Sequence, residues 1–148
     1  MITENIKSLF IRDLNKLKLE IEAYQTEEVI WKIDKNIANS AGNLALHLVG
    51  NLSHFVGAIL GNSGYIRNRE LEFSLKDVPR AELIQQIEKV TETVTLTLEN
   101  ISAEELEKDF PGEPLGYKMT TAYFLIHLFG HLSYHLGQIN YHRRMLDE

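Results

Sequence analysis

Histidines at positions 47, 54, 127, 131, 135 and 142 are the residues of this 148-residue chain best equipped to do chemistry. His127, His131 and His135 step by four, and an i, i+4 pair stands two imidazoles on one side of a helix, able to share one metal ion. His47 and His54 are seven apart, so on a helix they lie on nearly one face, with Gly50 and Asn51 between them. One further imidazole from a facing helix would complete three protein ligands. That leaves a position open for water or substrate, as in a catalytic rather than a structural metal site. A lone histidine on an apolar face is ordinarily a hydrogen-bonded core residue. Five on two facing, charge-free helices are harder to satisfy in that way, because each neutral buried imidazole needs partners for both nitrogens. Asn51 and Gln138 are amides that could hold the nitrogens facing away from an ion. His142, beside Arg143 and Arg144, reads as the end of its helix.

The charges avoid these histidines. The chain has 15 Lys and Arg against 21 Asp and Glu, a net charge of −6. None of these charges falls between Asn36 and Ile66 or between Met119 and His142, and all six histidines do. These two windows are expected to be the inner helices of the fold. The absence of cysteine excludes disulfides, zinc ribbons, iron–sulfur clusters and a thiol nucleophile. An acidic chain without a Lys/Arg cluster is a poor nucleic-acid binder. NLALHLVGNLSHFVGAIL is long enough to span a bilayer, but Asn43, His47, Asn51, Ser53 and His54 interrupt it, and buried polar groups in this number are costly in lipid. No membrane partner is expected. The N-terminal stretch lacks a signal-peptide core, which makes the cytoplasm the expected location.

Hydrophobic spacing gives the elements that must position the site. Apolar residues at Ile2, Ile6, Leu9, Phe10, Leu14, Leu17, Ile21 and Tyr24 recur every three or four positions, which predicts an amphipathic helix over 2–24. Residues 25–40 lose this period. Asn39-Ser40 is N-cap chemistry for a helix over about 41–60, which stops in Gly61-Asn62-Ser63-Gly64. Tyr65 to Val78 reads as a long connection. Asp77 and Pro79 open a helix with Leu83, Ile87, Val90, Val94 and Leu98 on one face. Within it, TVTLTL at 93–98 alternates like a strand, yet no second strand exists to pair with it. Ser102-Ala103-Glu104-Glu105 is a capping box for one or two turns, ended by Phe110-Pro111-Gly112. The last helix is expected over about 119–146. The predicted fold class is all-α: one domain over 1–148, a four-helix bundle with long inter-helix connections.

Other residues invite two readings. In GYIRNRELEFS, Arg67 and Arg69 could bind a substrate carboxylate at the site mouth, or pair on the surface with Glu70 and Glu72; surface pairing is the more economical. Gly50, Gly57 and Gly61 suit close helix packing, and Tyr134 and Tyr141 suit packing or an interface more than catalysis.

His131-Leu-Ser-Tyr-His135-Leu-Gly137-Gln138 resembles the HxxxHxGQ motif on the last helix of the DinB-like superfamily of four-helix metalloproteins. Leu46-His47-Leu48 matches the position of that family's third ligand. Leu46-His47-Leu48-Val49-Gly50-Asn51-Leu52, followed by Gly64-Tyr65-Ile66-Arg67-Asn68-Arg69-Glu70-Leu71-Glu72-Phe73, resembles its DUF1572-type branch, and the likeness runs from about residue 5 to 145. The resemblance implies that His47, His131 and His135 are metal ligands, with His54 and His127 extra to the pattern and candidates for catalytic groups. It also implies a divalent ion such as zinc or nickel and a homodimer. A further implication is an activity like that of thiol S-transferases using low-molecular-weight thiols.

Imidazole-only ligation suits zinc, nickel, copper, iron or manganese. Three neutral ligands leave the ion its full charge, enough to lower the pKa of bound water toward ~7 or to turn a thiol into a thiolate. Hydrolysis also calls for a carboxylate base, which neither histidine helix supplies. That favours thiol transfer, although His54, His127 or a loop carboxylate could serve as base. Asn51, Arg67 and Gln138 are the candidates for binding a cofactor, and a small molecule is the expected substrate. The competing class is a non-catalytic metal- or ligand-binding bundle.

Overall fold

The three- and four-residue steps near the N-terminus form α1, Ile2–Ala23, in a computed structural model that describes residues 1–148. Ile6, Phe10, Leu14, Leu17 and Ile21 are buried, while Ile2 and Leu9 of the expected stripe stay exposed. Residues 25–40, which lose the period, hold a short 3-10 helix at Glu27–Trp31.

α2 follows at Ala41–Leu52, and every one of its residues is buried. Ser40 caps it by accepting the Asn43 N–H, satisfying one of the orphan donors of the first turn. The expected single helix over 41–60 changes character at Ser53: residues Ser53–Leu60 continue without a gap as a π-helix. Nothing in residue type distinguishes i→i+5 from i→i+4 bonding, so the sequence could not show the change. Gly57 and Gly61 let this segment lie close on Thr93 and Thr97. The stretch Ala41–Leu60 is long and apolar enough to cross a membrane by composition, but 67% of its apolar window is buried within the fold.

The polar stretch expected as a connection contains a helix, α3, Arg69–Ser74, capped by Asn68. Asn43 of α2 holds it in place, its amide donating to the carbonyls of Glu72 (3.0 Å) and Leu75 (2.8 Å). α4, Arg80–Asn100, buries Leu83, Ile87, Val90, Val94 and Leu98, the expected face. The threonine-rich part of α4 is helical because its apolar residues Val90, Val94 and Leu98 share the buried face, while Thr91, Thr93 and Thr95 satisfy their hydroxyls on the carbonyls of Ile87, Lys89 and Thr91. The Ser102–Glu105 capping box starts α5, Ala103–Glu107.

α6, Thr121–Leu146, corrects the expectation that both uncharged windows are inner helices. It buries Phe124, Leu125, Leu128, Leu132, Ile139 and His142, but leaves Tyr123, Ile126, Tyr134, Tyr141 and Met145 more than half exposed. Absence of charge here marks a face and not an interior.

The molecule is all-helical, with six α-helices; an isolated bridge between Asp109 and Thr120 is its one β contact. α1 and α2 each pack on both α4 and α6. One apolar cluster draws residues from all four, and burying each large aliphatic side chain contributes roughly 1.5–3 kcal/mol.

Candidate metal centre

α2 and α6 bring His47, His131 and His135 together, with one nitrogen from each within 4.8 Å of the others. The ring centroids are 4.9 Å apart for His47–His131, 5.4 Å for His47–His135 and 4.6 Å for His131–His135. The helical register explains this: His131 and His135 are one turn apart on α6, and His47 sits on the facing side of α2.

Each ring is held differently. Glu72 Oε1 accepts from His47 Nδ1 at 3.0 Å, which puts the proton on Nδ1 and leaves Nε2 as a lone pair. Phe73 packs on the same imidazole at 4.9 Å. His135 Nδ1 lies 2.7 Å from Gln138 Oε1, which likewise leaves its Nε2 free to accept. His47 Nε2 is 3.1 Å from His131 Nε2, while the buried His131 Nδ1 has no partner at all. Burial, with the neighbouring His135 and His47 adding to it, lowers the His131 pKa to about 4. Burial also lowers that of His135, against the opposing bond to Gln138. Burial thus disfavours the charged forms of His131 and His135, and neutral imidazoles are what a cation needs. Two nitrogens ligating one tetrahedral ion with bonds of about 2.0–2.1 Å stand roughly 3.4 Å apart, close to the His47–His131 separation.

Glu72 was not among the candidates that sequence reasoning offered. It is 6% exposed. Arg67 engages both its oxygens, Nε to Oε2 at 2.8 Å and Nη2 to Oε1 at 2.9 Å. Burial alone would raise its pKa, but the bonds from His47 and Arg67 outweigh that and hold it below the usual carboxylate range. The carboxylate rests against the backbone of α2 at Gly50, where a Cβ would overlap it. Gly50 therefore serves this contact instead of helix–helix packing. The surface pairing expected in GYIRNRELEFS is a buried ion pair, and Arg67 has its guanidinium committed to Glu72. Arg69 lies over the Phe73 ring, 5.2 Å from its centroid. The one signal available was Arg67 and Glu72 sharing a segment; their burial was not legible.

The remaining candidates are not members of the three-histidine group. His54 falls in the π-helix, half-exposed beside Phe55. Burial and Arg67 lower its pKa, with Glu72 acting in the opposite sense. His127 is exposed and stacks on Phe124, 5.8 Å between centroids. Asn51 is buried with its Oδ1 unpartnered.

The profile of a family described as "Protein of unknown function (DUF1572)" matches residues 4–148. The chain belongs to the DUF1572 family. A comparison with curated proteins gives no match.

In this DUF1572 chain a cleft of about 1010 Å³ runs between residues 32–39 and the C-terminal half of α6. His135 and Gln138 line it, with Tyr134, Tyr141, Lys32 and Lys35. Arg67, Asn51, His54 and His127 do not. The volume is of the size that takes a small molecule, and His135 gives the cluster a wall of the cleft. At the cleft's end His142 is not a simple helix terminus. It is buried, donates from Nε2 to the Lys32 carbonyl (2.8 Å) and accepts from the Tyr24 hydroxyl at Nδ1 (2.7 Å). Burial raises the Tyr24 pKa, keeping that hydroxyl protonated as the donor. The histidine thus ties α1, the segment after it and α6 together.

Proposed function

We propose that this protein is a metal-dependent enzyme of the DinB-like kind, a four-helix bundle of α1, α2 with its π extension, α4 and α6. In this reading His47, His131 and His135 hold a divalent ion; the all-imidazole set suits several such ions, and the DinB-like resemblance favours zinc or nickel among them. The observation that carries it is the convergence of three imidazoles, two with their outward nitrogens already bonded to Glu72 and Gln138. Rings so placed turn ligating nitrogens toward one another, and a cation between them satisfies all three at once.

When bound, such an ion supplies the positive charge that holds a low-molecular-weight thiol as its thiolate. The chain's own residues do the rest. Gln138 fixes the His135 ring beside the cleft, and the cleft seats a small-molecule substrate against that ring. Glu72, the carboxylate that touches the cluster, is engaged by Arg67 and is not free to take a proton from water. That supports thiol transfer over hydrolysis. The uncharged, exposed face of α6 suits a homodimer, since two copies meeting there would bury no charge.

The test is elemental analysis of untagged protein and of its His131→Ala and His135→Ala variants, followed by cobalt substitution and a panel of thiols with an electrophilic acceptor. One ion per chain in the parent, loss in both variants and thiol-dependent shifts of the cobalt spectrum are expected. Retention of metal by both variants overturns the assigned site. A bound ion whose spectrum no thiol or electrophile alters leaves a non-catalytic binding bundle.

A further inference from the structure

Glu72 is the one carboxylate hydrogen-bonded to a histidine in this chain, and it comes from neither histidine helix. Its placement is over-determined. Asn43 ties the carbonyls of Glu72 and Leu75 to α2. Arg67 takes both carboxylate oxygens, and its guanidinium lies 5.9 Å from the Phe55 ring centroid. Gly50 leaves the space that the carboxylate fills. Fastening α3 to the rest of the fold would need only the Asn43 bonds and the ion pair. It would not need a carboxylate oxygen aimed at the outward nitrogen of His47.

We infer that Glu72, held in place by Arg67, is a positioning residue for His47. The inference rests on the three-histidine metal reading proposed above. By accepting from Nδ1–H, Glu72 selects the tautomer whose Nε2 is unprotonated and fixes the ring plane so that this lone pair points at His131 and His135. A carboxylate bonded to the distal nitrogen of a ligating imidazole also strengthens it as a donor. Arg67 balances the carboxylate's charge, so Glu72 acts on His47 through direction and hydrogen bonding, without adding a net negative charge to the site. Gly50 belongs to the same device: any larger residue there would push the carboxylate away from the imidazole.

The experiment measures Co(II) affinity, by competition with a chromophoric chelator, and the visible d–d spectrum of the full-length chain. It compares the parent with His47→Ala, Glu72→Gln and Glu72→Ala, and thermal unfolding of each metal-free protein checks that it folds. The parent binds Co(II), and His47→Ala loses it. Glu72→Gln keeps the shape and an acceptor oxygen; it is expected to bind about 10-fold more weakly with shifted absorption bands. Glu72→Ala is expected to lose about 10–100-fold. If Glu72→Ala does not fold, Glu72→Gln decides alone. A folded Glu72→Gln with parental affinity and an unshifted spectrum overturns the positioning role and leaves the histidine site standing. A parent that binds no Co(II), or a His47→Ala that binds as well as the parent, removes the site and this inference together.

Discussion

The carboxylate of Glu72 occupies the space that a side chain at Gly50 would require. The end of a glutamate is ordinarily easy to move aside, but this one is buried and bonded to both Arg67 and His47. Gly50→Ala therefore breaks these bonds or bends α2. The expected cost is about 1–3 kcal/mol, a fall in Tm of roughly 3–10 °C at this chain length. An unchanged melting curve would show that Glu72 is free to relocate.

Gly137 gives the opposite sign. It lies inside α6, and nothing stands within 4 Å of a Cβ placed there. Gly137→Ala should stabilise the chain by about 0.5–1 kcal/mol, because alanine loses less backbone entropy in a helix. Urea denaturation at low protein concentration reads this directly, and a loss of stability there would mean that the space is filled in solution.

Arg67 and Glu72 should behave as one unit. Arg67→Met leaves a buried carboxylate without its cation and is expected to cost about 3–5 kcal/mol. Arg67→Met with Glu72→Gln removes the uncompensated charge as well, and should cost less than Arg67→Met alone. Denaturant titrations of the metal-free single and double variants complete the cycle. Additive losses would show that the two are not coupled.

Stability should fall on the acid side of neutrality, in part through His142. Burial lowers its pKa in the folded state below the ordinary histidine value of about 6.5, against the opposing bond to Lys32. The unfolded chain therefore takes up the proton first, so stability is full above about pH 6.5 and declines as pH drops through and below it. Metal-free His131 and His135, also lowered, act in the same direction. Parent and His142→Gln are best compared in chelator, where the variant should show the shallower decline. Equal slopes between pH 7 and 5 would assign the whole effect to the cluster.

Periodicity and capping were legible where the chain obeys a local rule. The Leu83–Leu98 face, the Ser40 cap and the Ser102 capping box each depend on residues three or four apart, and each is present. The histidines were legible as a set because α2 and α6 keep their register through His47, His131 and His135. Past Leu52 that arithmetic fails: the π-helix turns the chain by fewer degrees per residue, so the seven-residue spacing of His47 and His54 no longer means a shared face. Glu72 was hidden for another reason. It meets His47 from a six-residue helix, too short to declare a buried face, and its seat is a glycine with no chemistry of its own. The exposed face of α6 shows that a run without charge says nothing about which side of a helix meets water.

The contact between Glu72 and His47 spans 25 residues of sequence, and that between His47 and His131 spans 84. During synthesis the carboxylate can reach its imidazole well before the partners on α6 exist. At roughly 5–20 residues per second, the interval between making Glu72 and making His131 is about 3–12 s. The three-histidine cluster can thus form in steps, one oriented imidazole and then a pair delivered together by one helix, and it is incomplete until α6 has been made.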